Sequence, residues 1–283
     1  MPRAIFLWSS LRFGRRQSSS RAASRSLRAF GMDCGCFSGF IAPQQKEGKV
    51  KLGYWGIRGL GAPLRMLLHY AGAEFEDKRY SDPQEWFGTD KPKLIQKNPL
   101  ANLPYLVDGD VVVCQTNAVF DYIGDRYGLG GETMDQRREC RQLLAEIYDV
   151  RNMIIELVYP FKEKCRNEEE FKASMGKYLQ LGCKVAFSKL EGVYAKTEPQ
   201  GPYALGSKPC TADFHMWEML DQHDIYAAKM QLPSPLGGGE FPNLAKLHKT
   251  MRELPALQPY FSSDASKLPC NAGMSYTSKL LGC

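Results

Sequence analysis

The sequence predicts an α/β domain on the N-terminal side, followed by an all-α domain. Between residues 50 and 127, short apolar runs of strand length alternate with segments of helix length. Beyond a glycine cluster at 128–131, apolar residues recur at helical spacing. The chain has 283 residues, of which 43% are hydrophobic, and this is enough for two compact domains with cores of their own.

The first half of the α/β domain is predicted to contain a strand, a helix and a second strand. Val50–Trp55 has the composition of a short strand, and a loop punctuated by glycines follows at 56–61. Pro63 then opens a helix, because proline is favoured in the first helical turn and leucines recur behind it at helical spacing. Phe75–Tyr80 alternates as a second strand does.

The second half of this domain is predicted to be a loop, a hairpin and a helix. The loop runs from Ser81 to Ala101, and strands follow at 103–107 and 111–114. An Asp-Gly pair between these strands is a strong hairpin signal. Thr116 caps a helix that reaches about residue 127. The resulting order, β-α-β-β-β-α, predicts a thioredoxin-like unit with an all-α C-terminal helical domain as its partner.

The rest of the chain divides into a helical domain and a tail. A long apolar stripe opens the helical domain and consists of Leu143, Ile147, Val150, Ile154, Leu157 and Phe161. Further helices are expected near 169–196, 211–230 and 242–254, whereas the segment after Phe261 is expected to be loop-like and to lie on the surface. The predicted boundaries are 1–48 for an N-terminal extension, 49–130 for the thioredoxin-like domain, 135–263 for the helical domain and 264–283 for the tail.

The N-terminal extension has a composition of its own. Residues 1–32 hold seven arginines and no acidic residue, and they are rich in serine. This composition is typical of a mitochondrial or plastid transit peptide. The alternatives are a disordered extension, or a start at Met32, either of which would leave the protein cytoplasmic.

Charge, cysteine and histidine usage argue against several classes of function. Without residues 1–32 the chain holds 30 basic and 31 acidic residues, so we expect no nucleic-acid partner. No apolar run approaches the roughly 20 residues of a membrane-spanning helix. The nine cysteines are odd in number and irregularly spaced, which indicates a reducing compartment rather than a disulfide scaffold. The four histidines have no metal-ligand spacing, so no metal site is expected.

Three motifs follow one another along the α/β domain. They read LGYWGIRGL at 52–60, NLPYLVDG at 102–109 and QTNA at 115–118. Together they closely resemble the signatures of mu-class glutathione transferases, and the resemblance extends from Val50 to Ser263, about three quarters of the chain. It implies an enzyme that conjugates the thiolate of reduced glutathione to hydrophobic electrophiles. A non-catalytic binding or structural protein on the same scaffold is the alternative.

Tyr54 is the candidate catalytic residue. A free thiol has a pKa of about 8.5, so the thiol of glutathione is mostly protonated at neutral pH. A hydrogen bond donated to the sulfur favours the thiolate, and Tyr54 stands at a strand end just before the helix that Pro63 opens. The resemblance implies this role for Tyr54. It also implies reduced glutathione as co-substrate, no further cofactor, and a homodimer.

Glutathione carries two carboxylates, so its site must hold both ends of the peptide. Free backbone N–H groups at a helix start accept an anion, and the resemblance places the γ-glutamyl end at such a start. It places the glycyl end near a lysine, for which Lys93 competes with Lys91. The implied glutathione-binding residues are Trp55, Trp86, Lys91, Asn102, Leu103, Pro104, Gln115, Thr116 and, reaching the neighbouring subunit's glutathione, Asp149. The tripeptide that ends in Pro104 suits a tight cis turn.

The electrophile is expected to lie against the first long helix. Asn152, Ile155 and Tyr159 share one face of that helix through their i, i+3, i+7 spacing. Tyr159 is a candidate hydrogen-bond donor to a developing oxyanion, with a helix-packing tyrosine as the alternative. The resemblance adds Leu60 to the electrophile-binding residues.

One charged surface departs from the usual pattern of these transferases. Asp121 and Asp125 share a helix face that usually carries arginines, and Arg141 stands where the opposing acid is usual. We therefore expect a homodimer in which the charges of this contact are reversed. Two solvated helix faces that never meet are the alternative.

Overall fold

The structure is a computed structural model that describes residues 48–283. Almost all of the predicted extension 1–48, including Cys34 and Cys36, lies outside the described residues. Among residues 48–283, no helix combines the length and the apolar character needed to cross a bilayer.

The strands of the described chain form a four-stranded mixed sheet. They are β1 (Val50–Trp55), β2 (Phe75–Tyr80), β3 (Tyr105–Asp108) and β4 (Val111–Cys114). Their order is β2-β1-β3-β4, with β1 parallel to β2, and with β3 antiparallel to both β1 and β4. The predicted thioredoxin-like order of elements is confirmed, and it places the end of β1 in the middle of the sheet.

Helices cover the sheet and build the second domain. They are α1 (Gly61–Tyr70), α2 (Lys91–Ile95), α3 (Thr116–Tyr127), α4 (Met134–Val158), α5 (Glu168–Lys177), α6 (Cys183–Thr197), α7 (Thr211–Lys229), α8 (Pro242–Glu253) and α9 (Gln258–Ser262). Helix α7 is buried along most of its length, because it packs against α4 and α8 of its own domain and against α1 and α3 of the other. A continuous apolar core therefore joins the two domains.

The segment 81–101 is not the loop that we expected. It contains a helical turn at Glu85–Asp90, followed by α2. Trp86 holds this turn in place, because its indole is buried against Tyr80 and stacks on Tyr105 at a centroid distance of 5.8 Å. The expectation was wrong because these contacts lie outside the segment and leave no local pattern in it.

The apolar stripe of α4 is confirmed except at its end. Leu143, Ile147, Val150, Ile154 and Leu157 are buried, but Phe161 is 62% exposed because the helix ends at Val158. The helix expected at 169–196 is divided into α5 and α6 by a wider turn at Tyr178–Gly182. The helices expected at 211–230 and 242–254 are present as α7 and α8.

The predicted charge reversal does not need a second subunit. Arg141 binds Asp121 of the same chain with both nitrogen–oxygen distances below 3 Å, and Arg137 lies 3.5 Å from Asp125. The aspartates that share a face of α3 are therefore balanced by arginines of α4 within one protomer. Our assignment of this contact to a dimer interface loses its support.

The tail was expected on the surface, and this was wrong. Cys270, Asn271 and the residues Ser275–Thr277 are buried. The reason lies in the loop after β1, whose backbone donors need acceptors: the amide of Arg58 donates to the carbonyl of Pro269 at 2.8 Å, and that of Gly59 to the carbonyl of Cys270 at 3.1 Å.

Candidate active site

Tyr54 lies on β1, one residue before the strand ends, and its ring is enclosed by the loop that follows. The side chain is 4% exposed and packs with Ile57 and Leu60. A Cβ atom on Gly59 would stand 2.8 Å from the Tyr54 hydroxyl, and one on Gly61 would stand 2.6 Å from its ring. These two glycines therefore leave the space that the phenol occupies. Gly59 also has a φ of +38°, which disfavours any larger residue.

Arg65 of α1 fixes the start of this loop. Its guanidinium is fully buried and donates to the carbonyl oxygens of Ile57 at 2.8 Å and Trp55 at 3.2 Å. Asp77 of β2 accepts from its Nε at 2.9 Å and balances the charge. Arg65, balanced by Asp77, thus holds the backbone on both sides of Gly56.

Arg58 fixes the middle of the loop to the helical domain. Its guanidinium donates to both oxygens of Glu218, at 3.0 and 2.9 Å, and to Asp221 at 2.6 Å. Burial alone would lower the pKa of Arg58, but the two carboxylates raise it well above its usual value, so the residue stays charged. Burial raises the pKa of Glu218, and Arg58 works against this shift. An ion pair between residues 160 positions apart therefore joins the Tyr54 loop to α7.

Gln115 and Thr116 form the entry to α3. Gln115 has a φ of 74° and a ψ of 124°, a conformation that costs a residue with a side chain about 1–3 kcal/mol. Its side chain is exposed and does not cap the helix. Thr116 is buried, and the N–H groups of the first turn are free of intrahelical partners because α3 begins here. The backbone strain and these free donors coincide at one point of the surface.

The turn before β3 has the expected cis peptide bond between Leu103 and Pro104. Asn102 is exposed, Leu103 is half-buried and Pro104 is buried. Strand β3 begins only at Tyr105, since Pro104 has no N–H to donate to the ladder.

Of the residues expected near the glycyl end of glutathione, Trp55 and Lys91 both contact Phe87, whereas Trp86 is buried. Trp55 lies edge-on to Tyr80 and against Phe87, at centroid distances of 6.3 and 6.1 Å. The Lys91 ammonium lies 5.6 Å from the centre of the Phe87 ring. Trp86, by contrast, is 1% exposed, and its ring face is taken by Tyr105.

In the same region, one of the two candidate lysines has a carboxylate partner, and one exposed aromatic residue was not expected. Lys93 lies 4.0 Å from Asp90, so the neighbouring lysine already has a carboxylate partner. Phe87, which is 57% exposed and touches both Trp55 and Lys91, was missed by the sequence reasoning. Its only signal in the sequence is an aromatic residue next to Trp86 in a lysine-rich segment.

The residues expected at the electrophile side lie on two neighbouring elements. Leu60 is buried beside Tyr54, whereas Asn152 and Ile155 are half-buried on α4. Ile155 lines a cavity of about 10 Å³ together with Gly59 and Asn271, so α4, the Tyr54 loop and the tail meet there. Asp149 is exposed on the same helix.

Tyr159 caps the C-terminal end of α4 and lies close to Tyr54. Its hydroxyl oxygen accepts a hydrogen bond from the amide of Ala272 at 3.1 Å. Burial raises the pKa of Tyr159, and the nearby Tyr54 adds to this rise. Its O–H therefore stays protonated and remains free to donate to another acceptor.

Arg151 is a second residue that the sequence reasoning missed. It is half-buried, its guanidinium lies 5.7 Å from the centre of the Tyr148 ring, and its Nη1 donates to Asn152 at 3.3 Å. Its charge acts to lower the pKa of Tyr159. One turn of α4 thus places a cation among the residues expected to face the electrophile. Within residues 48–283, no group of His, Cys, Asp and Glu side chains could hold a metal ion.

The chain matches two domain models of one family. Residues 50–125 match the glutathione S-transferase N-terminal domain, and residues 148–264 match the glutathione S-transferase C-terminal domain. The two matches fall on the two structural domains, in the same order along the chain. The protein thus has the architecture of a two-domain glutathione S-transferase.

Two proteins with similar sequences are both mu-class glutathione S-transferases. Glutathione S-transferase Mu 1 of Oryctolagus cuniculus is 31% identical over 222 residues, which cover 76% of this chain and 91% of that protein. Glutathione S-transferase Mu 6 of Mus musculus is 32% identical over 221 residues, with the same shares covered. The chain therefore belongs to the glutathione S-transferase family, with mu-class proteins among its relatives. It is a glutathione-conjugating enzyme, and nothing favours the non-catalytic alternative.

Solved structures agree with this assignment. The glutathione S-transferase Blo t 8 has a TM-score of 0.64 at 27% identity and covers 80% of this chain and 98% of its own. A pi-class glutathione S-transferase of Onchocerca volvulus has the same TM-score at 24% identity, with 80% and 99% covered, and shares the fold.

Proposed function

We propose that Tyr54 holds the thiol of reduced glutathione as a thiolate and that the protein conjugates glutathione through this sulfur to hydrophobic electrophiles. The observation that carries this proposal is the state of the Tyr54 hydroxyl. Its ring is buried, and among residues 48–283 the hydroxyl is neither hydrogen-bonded nor sealed from solvent. A hydroxyl donor that is unused and reaches the surface can bond to a ligand.

One hydrogen bond of this kind is sufficient for the chemistry. A hydrogen bond to a charged group contributes about 1.5–3 kcal/mol. Because a pKa unit corresponds to about 1.4 kcal/mol, the bond lowers a thiol pKa of about 8.5 by about one to two units. That shift makes a large fraction of bound glutathione reactive at neutral pH.

The two carboxylates of glutathione are assigned to separate places. The γ-glutamyl end would be held at Gln115 and Thr116, where the strained backbone presents free N–H groups to an anion. The glycyl end would lie near Trp55 and Lys91, since Lys93, the other candidate lysine, is paired with Asp90. The backbone of Leu103 would pair with the cysteinyl part.

The electrophile would lie between Tyr54 and the α4 face. Leu60 and Ile155 supply apolar surface, and Asn152 supplies an amide. Because the oxygen of Tyr159 already accepts a bond from Ala272, its proton is directed away from that amide and is available to an oxyanion. We assign hydrogen-bond donation to the developing negative charge to Tyr159.

A homodimer is part of this proposal. Asp149 is a charged, exposed residue of α4, and as a glutathione-binding residue it would act on the site of a second subunit. Light scattering of the purified protein should give twice the mass of the chain. If the active protein were a monomer, Asp149 would have no second subunit to act on and would not belong to the site.

The test is conjugation of glutathione to a chlorinated nitroarene by the purified protein and by Tyr54→Phe. We expect turnover by the wild type, and a fall of about tenfold to a hundredfold in kcat for the variant, because one bond to the anion is lost. Glutathione binding, measured by calorimetry, should change little, since the other contacts remain. An unchanged rate at neutral pH would remove Tyr54 from the mechanism.

A further inference from the structure

A chain of buried polar side chains connects the tail to the loop after β1 by way of α7. The Asn271 amide donates to the Tyr226 hydroxyl at 2.8 Å, and this hydroxyl donates to the Gln222 oxygen at 3.0 Å. The Gln222 amide donates to Glu218 at 2.7 Å, and Glu218 accepts two bonds from Arg58. All five residues are at most 6% exposed, so water does not compete for these bonds.

Arg58 sets the direction of every bond in this chain. A guanidinium can only donate, so both oxygens of Glu218 act as acceptors, and Gln222 turns its NH2 group toward them. The Gln222 oxygen then faces Tyr226, whose single proton points to it, and the Tyr226 oxygen accepts from Asn271. Replacing one member by an apolar residue therefore leaves a buried neighbour without its partner.

The backbone on either side of Asn271 meets the proposed active site. The preceding carbonyl accepts the amide of Gly59 at 3.1 Å, and a Cβ atom on Gly59 would stand 2.8 Å from the Tyr54 hydroxyl. The following amide, that of Ala272, donates to the Tyr159 oxygen at 3.1 Å. Asn271 thus lies between one backbone group that holds the Tyr54 loop and another that holds Tyr159.

Asn271 is also tied to the end of the tail. Its side-chain amide donates a second bond, to the Thr277 hydroxyl at 3.1 Å, and its carbonyl accepts from the Ser278 hydroxyl at 2.8 Å. The Thr277 oxygen lies 3.1 Å from the hydroxyl of Ser275, and both of these residues are fully buried. These bonds hold the Asn271 side chain in the orientation that reaches Tyr226.

We propose that Asn271 is a positioning residue, which fixes the backbone of residues 270–272 through its bond to Tyr226. This segment in turn fixes the hydroxyls of Tyr54 and Tyr159, so the role of Asn271 rests on the function proposed for these two tyrosines. Hydrogen bonds weaken steeply when their angles change, so a connected chain of them holds a backbone more narrowly than apolar packing does. A misplacement of about 1 Å at a reacting group can cost a factor of about 100 in rate.

Two tyrosines allow a matched comparison. Tyr226→Phe removes only the oxygen that joins Asn271 to Gln222. Tyr276→Phe removes the oxygen of a tail residue that is 7% exposed and donates to the carbonyl of Cys165 at 3.2 Å. Both variants lose a buried hydroxyl and keep the ring, but only the first breaks the chain from the tail to the loop after β1.

The experiment measures conjugation of glutathione to a chlorinated nitroarene, and the thiol pKa of bound glutathione, in full-length variants. We expect Asn271→Leu and Tyr226→Phe each to lower kcat by about threefold to thirtyfold, with little change in KM for glutathione. Both should raise the pKa of the bound thiol toward its value in Tyr54→Phe. Combining the two changes should cost no more than the larger single loss, since both break the same chain. Tyr276→Phe should match the wild type in kcat and in thiol pKa.

Hydrogen exchange tests the same role without turnover. The Gly59 amide should exchange several-fold faster in Asn271→Leu and Tyr226→Phe than in Tyr276→Phe. Wild-type kcat or wild-type Gly59 protection in the first two variants would overturn the role of Asn271, and so would equal losses in Tyr276→Phe. A failure of the function proposed for Tyr54 is distinguishable, because Tyr54→Phe would itself conjugate at the wild-type rate.

Discussion

At the scale of single residues, the space around Tyr54 is set by glycine. Gly59 has a φ of +38° and would bring a Cβ to 2.8 Å from the Tyr54 hydroxyl, whereas Gly72 has a φ of +63° and nothing within 4 Å of a Cβ. Alanine at either position meets the cost of a left-handed backbone, about 1–2 kcal/mol. Only at position 59 does it also displace the Tyr54 hydroxyl.

Gly59→Ala and Gly72→Ala therefore form a matched pair. We expect both to lower the urea midpoint by a similar amount, and we expect only Gly59→Ala to lower kcat/KM, by about tenfold or more. Steady-state conjugation and equilibrium unfolding measure the two effects separately. Equal activity in the two variants would mean that the Tyr54 hydroxyl tolerates displacement or is not used.

At the scale of elements, the loop after β1 is fixed by buried charge. Arg58 is 8% exposed and Glu218 is fully buried, whereas the arginine–aspartate pair of Arg141 and Asp121 is 51% and 38% exposed. Removing one partner of a buried pair leaves an uncompensated charge and costs about 3–5 kcal/mol. An exposed pair contributes at most about 1 kcal/mol.

Arg58→Met should therefore destabilise the protein by about 3–5 kcal/mol, and Arg141→Met by less than about 1 kcal/mol. Urea unfolding with a shared m-value checks both variants. If the two losses were equal, the ion pair with α7 would not be what anchors the loop.

The elements that the sequence predicted well are those with local signals. The strands and α4 follow from alternation and from helical spacing within each segment. The helical turn around Trp86 was missed, because its cause is packing against Tyr80 and Tyr105. The burial of the tail was missed for the same reason, since its carbonyls are needed by the amides of Arg58 and Gly59. Contacts with residues outside a segment leave no periodicity within it.

The residues of the candidate site likewise divide into those with a local signal in the sequence and those without one. Tyr54 and Gln115 were predicted from motifs whose backbone setting is local, a strand end and a strained helix start. Phe87 and Arg151 were missed, because an exposed aromatic and a helical arginine carry no signal until their neighbours are known.

At the scale of the whole molecule, we propose that residues 1–32 direct the protein to a mitochondrion or plastid. Seven arginines without an acidic residue support this proposal. Fused to a fluorescent protein, the segment should give organellar fluorescence, and the same segment with its arginines changed to glutamine should not. Removing it should leave conjugation unchanged, since every residue that we propose for the site lies within 48–283. Diffuse fluorescence of the unchanged fusion would contradict the proposal.

Tyr54 is proposed to act by lowering the pKa of the bound thiol, and that pKa can be measured directly. The ultraviolet absorbance of the thiolate is titrated against pH for glutathione bound to the wild type and to Tyr54→Phe. We expect a thiol pKa below the free value of about 8.5 in the wild type, and one about one to two units higher in the variant. The same thiol pKa in both proteins would contradict this role for Tyr54.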